Sequence, residues 1–409
     1  MEIKQKPFAF QAMAKPIGNA CNLNCTYCYY LEKSKLYKNH STSKMSDELL
    51  EKFVKQYLQE QEVPVIQFVW QGGEPTLIGL DFYKKAIEFQ KKYASGKRIE
   101  NSFQTNGTLI TEDWCQFFKE NNFLIGVSID GPEKIHNLHR PYNTGKATFS
   151  DVMRGINLLQ KHKVDFNTLS VVHRYNSKYP IDVYRFLKDI GSKYLQFIPI
   201  IERKRIVESE NDLNLLLPED AEGKVTELSV LPDDFGNFLI KIFNEWVKKD
   251  VGRYYILQFD ATLANWVGES PGICVFSETC GDAIVLEHNG DVYSCDHFVY
   301  PKYKLGNITE NTFINLLKSA KQNDFARKKL TSLPKQCLAC EYRFACHGEC
   351  PKHRFLKTAN GEQGLNYLCA AYKKFFVHVH PFMQYMSEEL KANRPPANVM
   401  KWSARFNLN

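Results

Sequence analysis

Three cysteines stand in one short stretch of the 409-residue chain, spaced Cys21-x3-Cys25-x2-Cys28. Eight more lie downstream: Cys274, Cys280, Cys295, Cys337, Cys340, Cys346, Cys350 and Cys369. Cys115, between the two groups, completes the twelve. Twelve in 409 residues is too dilute for a small disulfide scaffold. Residues 1–15 alternate charged and apolar side chains and lack the apolar stretch of an export signal, so the expected location is cytoplasmic and the thiols stay reduced. Clustered, reduced cysteines read as metal ligands. The triplet has no fourth ligand beside it, as tetrahedral zinc would require. A cubane iron–sulfur cluster held by three thiolates leaves one iron open, where a small molecule can coordinate and take up an electron.

The downstream eight make two sets of four. Cys337, Cys340, Cys346 and Cys350 would serve as one local site, but Cys274, Cys280 and Cys295 then lack a fourth ligand and Cys369 lacks partners. Sharing ligands between the two stretches is the economical arrangement. The rest of the composition is that of a soluble chain with a sizeable core: 44% hydrophobic residues and a formal charge of +7. The longest apolar runs, such as residues 65–70, are far too short to span a bilayer, so no membrane partner is expected. The positive charge is spread rather than gathered into a patch, which argues against nucleic acid as a partner.

The cysteine triplet needs a scaffold, and the pattern up to residue 200 supplies one. Short apolar runs at 10–15, 65–71, 99–105, 123–129, 165–172 and 194–200 read as strands of a parallel sheet covered on both faces. Between them, 47–59, 82–93, 111–121, 148–162 and 180–190 read as helices, with Thr111 at a helix start and Gly191 following a helix end. Six strands alternating with helices give an α/β fold, either doubly wound or a whole or partial barrel. Functional residues of such folds sit at the carboxyl ends of the strands. That rule selects the triplet loop, Gln71-Gly-Gly-Glu-Pro75, Gln104-Thr-Asn-Gly107 and Ser128-Ile-Asp-Gly-Pro132. Residues 202–235 read as an inserted polar loop with acidic stretches at 208–212 and 219–222, followed by a helix at 235–249. The chain after Phe382 reads as peripheral.

The Cys-x3-Cys-x2-Cys spacing after a first strand, with Tyr27 before the last cysteine, resembles the radical S-adenosylmethionine enzymes. The eight later cysteines resemble the SPASM-type extension of that superfamily. Tyr29-Tyr30, Gln71 to Thr76, Gln104 to Thr108, Ser128 to Pro132 with His136-Asn137, and Asn289-Gly-Asp-Val-Tyr-Ser-Cys-Asp296 together are similar to the anaerobic sulfatase-maturating enzymes. The resemblance implies a partial (β/α)6 radical-SAM barrel over residues 1–235, a linker helix region over 236–272, a SPASM domain over 273–385 and a tail over 386–409. It implies S-adenosyl-L-methionine and three 4Fe-4S clusters as cofactors. Cys21, Cys25 and Cys28 would hold the open cluster; Cys274, Cys280, Cys295 and Cys350 the first auxiliary cluster; and Cys337, Cys340, Cys346 and Cys369 the second.

The same resemblance assigns cofactor contacts to Tyr27, Gly72, Gly73, Glu74, Ser128, Arg140 and Ile201, with a surface salt bridge as the alternative for Arg140. It implies oxidation of a Cys or Ser side chain in an unfolded sulfatase polypeptide to Cα-formylglycine, with an electron donor such as flavodoxin or ferredoxin. Asp296, next to Cys295, is the expected proton acceptor, with capping of a turn as the alternative role and His297 as the alternative base. Tyr30 and Gln71 are expected to line the substrate pocket, core packing being the alternative for Tyr30. Another peptide modification, such as a thioether or C–C crosslink, is the competing reading. Enzymes of that kind often carry an N-terminal peptide-binding domain, and about 20 residues before Cys21 are too few for one. Cys115 is expected to be a plain buried thiol.

Overall fold

The computed structural model describes residues 8–37, 44–208, 212–220, 223–406 and 408. Residues 1–7 of the N-terminal stretch, and parts of the acidic stretches at 208–212 and 219–222, lie outside the described residues. Six parallel strands follow one another in order: β1 (Gln11–Lys15), β2 (Val65–Trp70), β3 (Arg98–Thr105), β4 (Phe123–Ser128), β5 (Phe166–Val172) and β6 (Tyr194–Pro199). The crossovers carry α1 (Asp47–Gln59), α2 (Leu80–Tyr93), α3 (Glu112–Glu120), α4 (Glu133–His139), α5 (Phe149–Lys161) and α6 (Pro180–Asp189), and α7 (Pro232–Lys249) follows β6. The six expected strands are all present, with ends differing by a residue.

Local chemistry explains the helices. Ser46 and Thr111 accept hydrogen bonds from the N–H groups of Leu49 and Trp114, capping α1 and α3. In α1, Leu50, Phe53, Val54, Tyr57 and Leu58 fall on one face at helical spacing and are buried. Past α6, Gly191 takes φ +78°, the left-handed conformation that lets the chain turn back toward β6. Helix α4 was not expected from sequence. It is short, polar, and starts directly after Pro132, so it lacks an apolar period long enough to recognise.

After β6 come two short paired strands, β7 (Arg203–Lys204) and β8 (Lys224–Val225), then β9 (Tyr255–Ile256) and α8 (Leu257–Val267). The C-terminal third contains β10 (Ala283–Glu287), β11 (Asp291–Tyr293) and β12 (Lys304–Asn307). It continues through α9 (Phe313–Leu317), α10 (Ala320–Thr331), α11 (Lys335–Leu338), α12 (Arg343–Cys346), the hairpin β13 (Leu356–Lys357) and β14 (Gln363–Leu365), α13 (Cys369–Lys391) and α14 (Val399–Ser403). Strand β10 pairs in parallel with β1 over all five residues, from Gln11 opposite Ala283 to Lys15 opposite Glu287. One sheet of ten strands results, in the order β12-β11-β10-β1-β2-β3-β4-β5-β6-β9.

The C-terminal segment is not peripheral. Helix α13 runs through residue 385, with Phe382, Met383 and Met386 buried, and it packs along α7 and α8. Val399 and Leu408 are buried as well, and the Leu408 carbonyl accepts a hydrogen bond from Lys248 at 2.6 Å. Among the described residues, no helix is long and apolar enough to cross a membrane.

Helix α5 lies so close to the loop after β3 that a Cβ on Gly155 would stand 2.3 Å from the Gly107 carbonyl oxygen. Alanine gains about 1 kcal/mol of helix propensity over glycine, but overpacking against a fixed backbone costs about 1–3 kcal/mol or more. Gly155→Ala is therefore expected to lower stability in urea denaturation, whereas a helix-propensity effect alone would raise it.

Candidate active site at the mouth of the strand array

The loop after β1 carries Cys21, Cys25 and Cys28, and its shape is set by its neighbours. Gly73 donates its N–H to Gly18 O at 2.8 Å, and Glu74 donates to Ala20 O at 2.8 Å. A Cβ on Gly73 would meet the Ala20 carbonyl oxygen at 2.0 Å, and one on Gly72, at φ +142°, would stand 3.0 Å from Gly18 O. The resemblance makes these glycines cofactor contacts. What they demonstrably admit is the backbone of the cysteine loop.

Glu74 is fully buried. Its carboxylate accepts from Thr76 N (3.1 Å), Thr76 Oγ1 (2.7 Å), Thr105 Oγ1 (2.8 Å) and Asn106 N (2.7 Å). Burial holds this carboxyl above its usual range, while the donors, Asn106 N–H foremost, pull it back. Glu74 thus ties the loops after β2 and β3 together. The next loop joins through Gln104 Nε2, which donates to Ser128 Oγ at 3.0 Å. From the loop after β4, Asp130 accepts the Tyr27 hydroxyl, and Arg140 Nη1 donates to Tyr27 Oη at 2.9 Å while lying 3.9 Å from Asp130. Arg140 is buried, so it makes no surface salt bridge, and its Nε has no partner.

Asp296 comes from the other end of the chain. It opens a short 3-10 helix directly after Cys295, and its carboxylate is paired with the Lys15 ammonium and accepts the Tyr29 hydroxyl at 2.5 Å. Lys15 is the last residue of β1, is 1% exposed, and also lies 3.5 Å from the centre of the Tyr30 ring. Burial, the largest single effect, would raise the Asp296 carboxyl, but the Lys15 and His297 charges and the hydrogen bonds from Lys15 and Tyr29 together outweigh it, so the group sits below its ordinary value. His297 is held down to about 4 by burial and by Lys352, and its Nδ1 lies 3.8 Å from Cys350 Sγ.

A cavity of about 490 Å³ opens beside these groups, walled by Tyr27, Cys28, Tyr29, Ile200 and Glu202. Tyr30, expected at the substrate pocket, instead packs with Val285, Tyr293 and Val299 and gives its hydroxyl to Glu287; the cavity wall there is Tyr29. Ile201, expected as a cofactor contact, is buried, and the neighbouring Ile200 packs with Leu23, Cys25 and Tyr27. Gln71 is half-buried at the end of β2 with no partner for its Oε1. The inserted stretch forms part of the cavity wall. The Glu32 carboxylate accepts Asn214 N at 2.8 Å and Leu215 N at 3.1 Å, the Leu215 carbonyl accepts from Tyr300 Oη at 3.3 Å, and Arg203 donates to Leu217 O at 3.2 Å.

None of the twelve cysteines is paired in a disulfide. Burial pushes Cys21 up to about 12 and Cys25 up to about 11. Downstream, burial raises Cys350 far above its normal value, and Cys295, Cys280 and Cys274 add to the effect at close range. Cys337 is raised by burial and then by Cys369, and Cys346 by burial, Glu349, Cys369 and Cys337. Cys350 thus feels Cys274, Cys280 and Cys295, and Cys337 and Cys346 both feel Cys369, each within its expected set. Thiols that raise one another in this way suit metal ligation, which stabilises the thiolate. Among the described residues no three potential ligands converge on a point as they would around a single ion. A cubane needs no such convergence, because each thiolate takes a different iron. Cys115 is buried in α3 beside Trp114, away from both groups.

Residues 16–187 match the Radical SAM superfamily, and residues 274–341 match the SPASM iron-sulfur cluster-binding domain. Over 97% of this chain and 96% of the relative, the sequence is 53% identical to a serine-type anaerobic sulfatase-maturating enzyme of Bacteroides thetaiotaomicron. The chain belongs to the anaerobic sulfatase-maturating enzymes. A cysteine-type enzyme of Clostridium perfringens is 36% identical over 93% of this chain and 98% of its own length. The fold agrees with native anSMEcpe with bound AdoMet and Cp18Cys peptide at a TM-score of 0.81, with 35% identity over 93% of this chain and 99% of that one.

In this member of the sulfatase-maturating family, two functional features escaped sequence reasoning. Lys15 read as the end of an ordinary strand, and residues 213–217 read as a surface loop. A lysine closing a mostly apolar inner strand was the available signal for the first; nothing local marked the second. Gly73→Ala is expected to displace the cysteine loop. About four of the iron atoms per chain, one cubane's worth, should be lost after anaerobic reconstitution, as measured by iron and sulfide analysis.

Proposed function

We propose that this chain oxidises a Ser or Cys side chain of an unfolded sulfatase polypeptide to Cα-formylglycine. The observation that carries this reading is the placement of Asp296. An ionised carboxylate stands one residue from a thiol of the first auxiliary group, and the final residue of the first barrel strand holds it in place.

Cys21, Cys25 and Cys28 would hold the open 4Fe-4S cluster. Cys274, Cys280, Cys295 and Cys350 would hold the first auxiliary cluster, and Cys337, Cys340, Cys346 and Cys369 the second. Tyr27, Gly72, Gly73, Glu74, Ser128, Arg140 and Ile201 form the cofactor-binding end of the barrel, with Arg140 Nε the unpartnered donor there. When bound, S-adenosylmethionine and the clusters supply hydrogen-atom abstraction from the substrate Cβ and removal of a second electron. The protein's own part is proton transfer and positioning. Asp296 accepts the thiol or hydroxyl proton of the target, with Lys15 and Tyr29 fixing its orientation and charge. The free Oε1 of Gln71 accepts a hydrogen bond from the substrate. The inserted stretch walls the cavity and restricts access of water to the reacting carbon. Electrons are exchanged with a small carrier such as flavodoxin or ferredoxin, and the reducing chemistry places the enzyme in the cytoplasm.

Two measurements test the assignment. Incubation of anaerobic enzyme with reductant, S-adenosylmethionine and peptides carrying the sulfatase motif as Ser or as Cys should give the aldehyde by mass spectrometry. Cofactor cleavage with neither peptide oxidised would favour a different peptide modification. Asp296→Asn should keep about twelve iron atoms per chain (three cubanes of four) and lose about 10²-fold or more in peptide oxidation, the usual worth of a positioned base. An Asp296→Asn enzyme with full turnover would remove the residue from the chemistry.

A further inference from the structure

The side-chain amide of Asn106 faces the first cysteine of the triplet. Its Nδ2 lies 3.8 Å from Cys21 Sγ and 2.8 Å from Asn22 Oδ1. Which end of the amide faces the sulfur is fixed chemically. Thr108 N donates to Asn106 Oδ1 at 3.0 Å and Thr108 Oγ1 donates at 2.7 Å, and a backbone N–H can only donate. The oxygen must therefore face Thr108, and both amide hydrogens are left for Asn22 and Cys21. Asn22 Nδ2 closes the ring of contacts by donating to Thr108 Oγ1 at 2.9 Å.

The backbone beneath is equally fixed, because Asn106 N–H donates to buried Glu74 at 2.7 Å. Asn106 is only 5% exposed, so water does not replace its amide at the sulfur. Cys21 Sγ also accepts Leu23 N–H at 3.4 Å, a contact internal to the loop. Among the described residues, the hydrogen bonds to the triplet's sulfurs include one side-chain donor from outside the loop, and it is Asn106.

We propose that Asn106 tunes the reduction potential of the cluster held by Cys21, Cys25 and Cys28, by donating an N–H···S hydrogen bond to the Cys21 thiolate. The inference rests on the reading of those three cysteines as cluster ligands. Reduction adds negative charge that is shared with the thiolate sulfurs, and a donor at sulfur stabilises the more negative, reduced form. Removing it makes the cluster harder to reduce. Asn106 is a positioning residue: it touches a ligand of the cluster and not the substrate.

The test is an anaerobic potentiometric titration of the full-length reconstituted enzyme. It follows by EPR the cluster whose signal changes when S-adenosylmethionine is added. Asn106→Ala should lower the reduced-to-oxidised ratio at a fixed potential by several-fold, and Asn106→Asp by up to about tenfold, equivalent to about 59 mV for one electron. Asp is the stronger because it places a carboxylate oxygen against the sulfur. Cys115→Ala, which removes a buried thiol of α3 outside both cysteine groups, should leave the potential at the native value. Equal potentials in native, Asn106→Ala and Asn106→Asp enzymes would overturn the proposal. So would loss of about four iron atoms per chain in both Asn106 variants but not in Cys115→Ala, since the amide would then build the loop instead of tuning it. If native enzyme itself carried about eight iron atoms, two cubanes only, the reading of the triplet would fail instead.

Discussion

One buried carboxylate organises the reactive end of this molecule. Glu74 accepts four hydrogen bonds, two from its own turn, one from Thr105 at the end of β3 and one from Asn106 in the loop that follows, while its backbone N–H anchors Ala20 in the cysteine loop. Taking a carboxyl group fully out of water is costly unless every lone pair is used. Here the donors are supplied by the loops that must be held, so satisfying the charge and building the site are the same event. Removing a single partner would leave the others facing a poorly solvated charge, and for this reason the three loops behave as a unit.

A second buried charge does comparable work between the two parts of the chain. Lys15 reaches from the first strand to Asp296, nearly three hundred residues away in sequence, and the pair is enclosed by Tyr29 and Tyr30. Breaking a buried pair of this kind typically costs about 3–5 kcal/mol, because the survivor is left uncompensated. The carboxylate is thereby kept ionised and aimed at the same time, which is what a proton acceptor needs. The neighbouring His297, with Cys350 beside its ring and burial favouring its neutral form, stands in a different relation to the thiols.

Much of the site was legible because its residues are local in sequence. The cysteine spacing, the glycines before Glu74 and the polar loops at strand ends are short motifs, and parallel strands announce themselves as apolar runs. What stayed hidden depends on long-range pairing. That Tyr29 and not Tyr30 walls the cavity follows from which way each side chain points, and neighbours in sequence point apart. The inserted stretch looked like a loose loop because its order comes from Glu32, Arg203 and Tyr300, none of them adjacent to residues 213–217. The C-terminal helix looked peripheral because its burial arises from contact with α7, which no local pattern reports.

The parallel pairing of β10 with β1 bears on how separable the two halves are. A barrel core cut away from its auxiliary part would expose the full ladder of β1 as a bare edge, ready to pair with other chains. It would also strand the Lys15 ammonium in an apolar wall without its carboxylate. The cluster-bearing extension is thus not an accessory hung on a finished enzyme but the missing flank of its sheet. Exchanging that extension for another would require the replacement to carry both a strand in this register and an acidic residue at the position of Asp296.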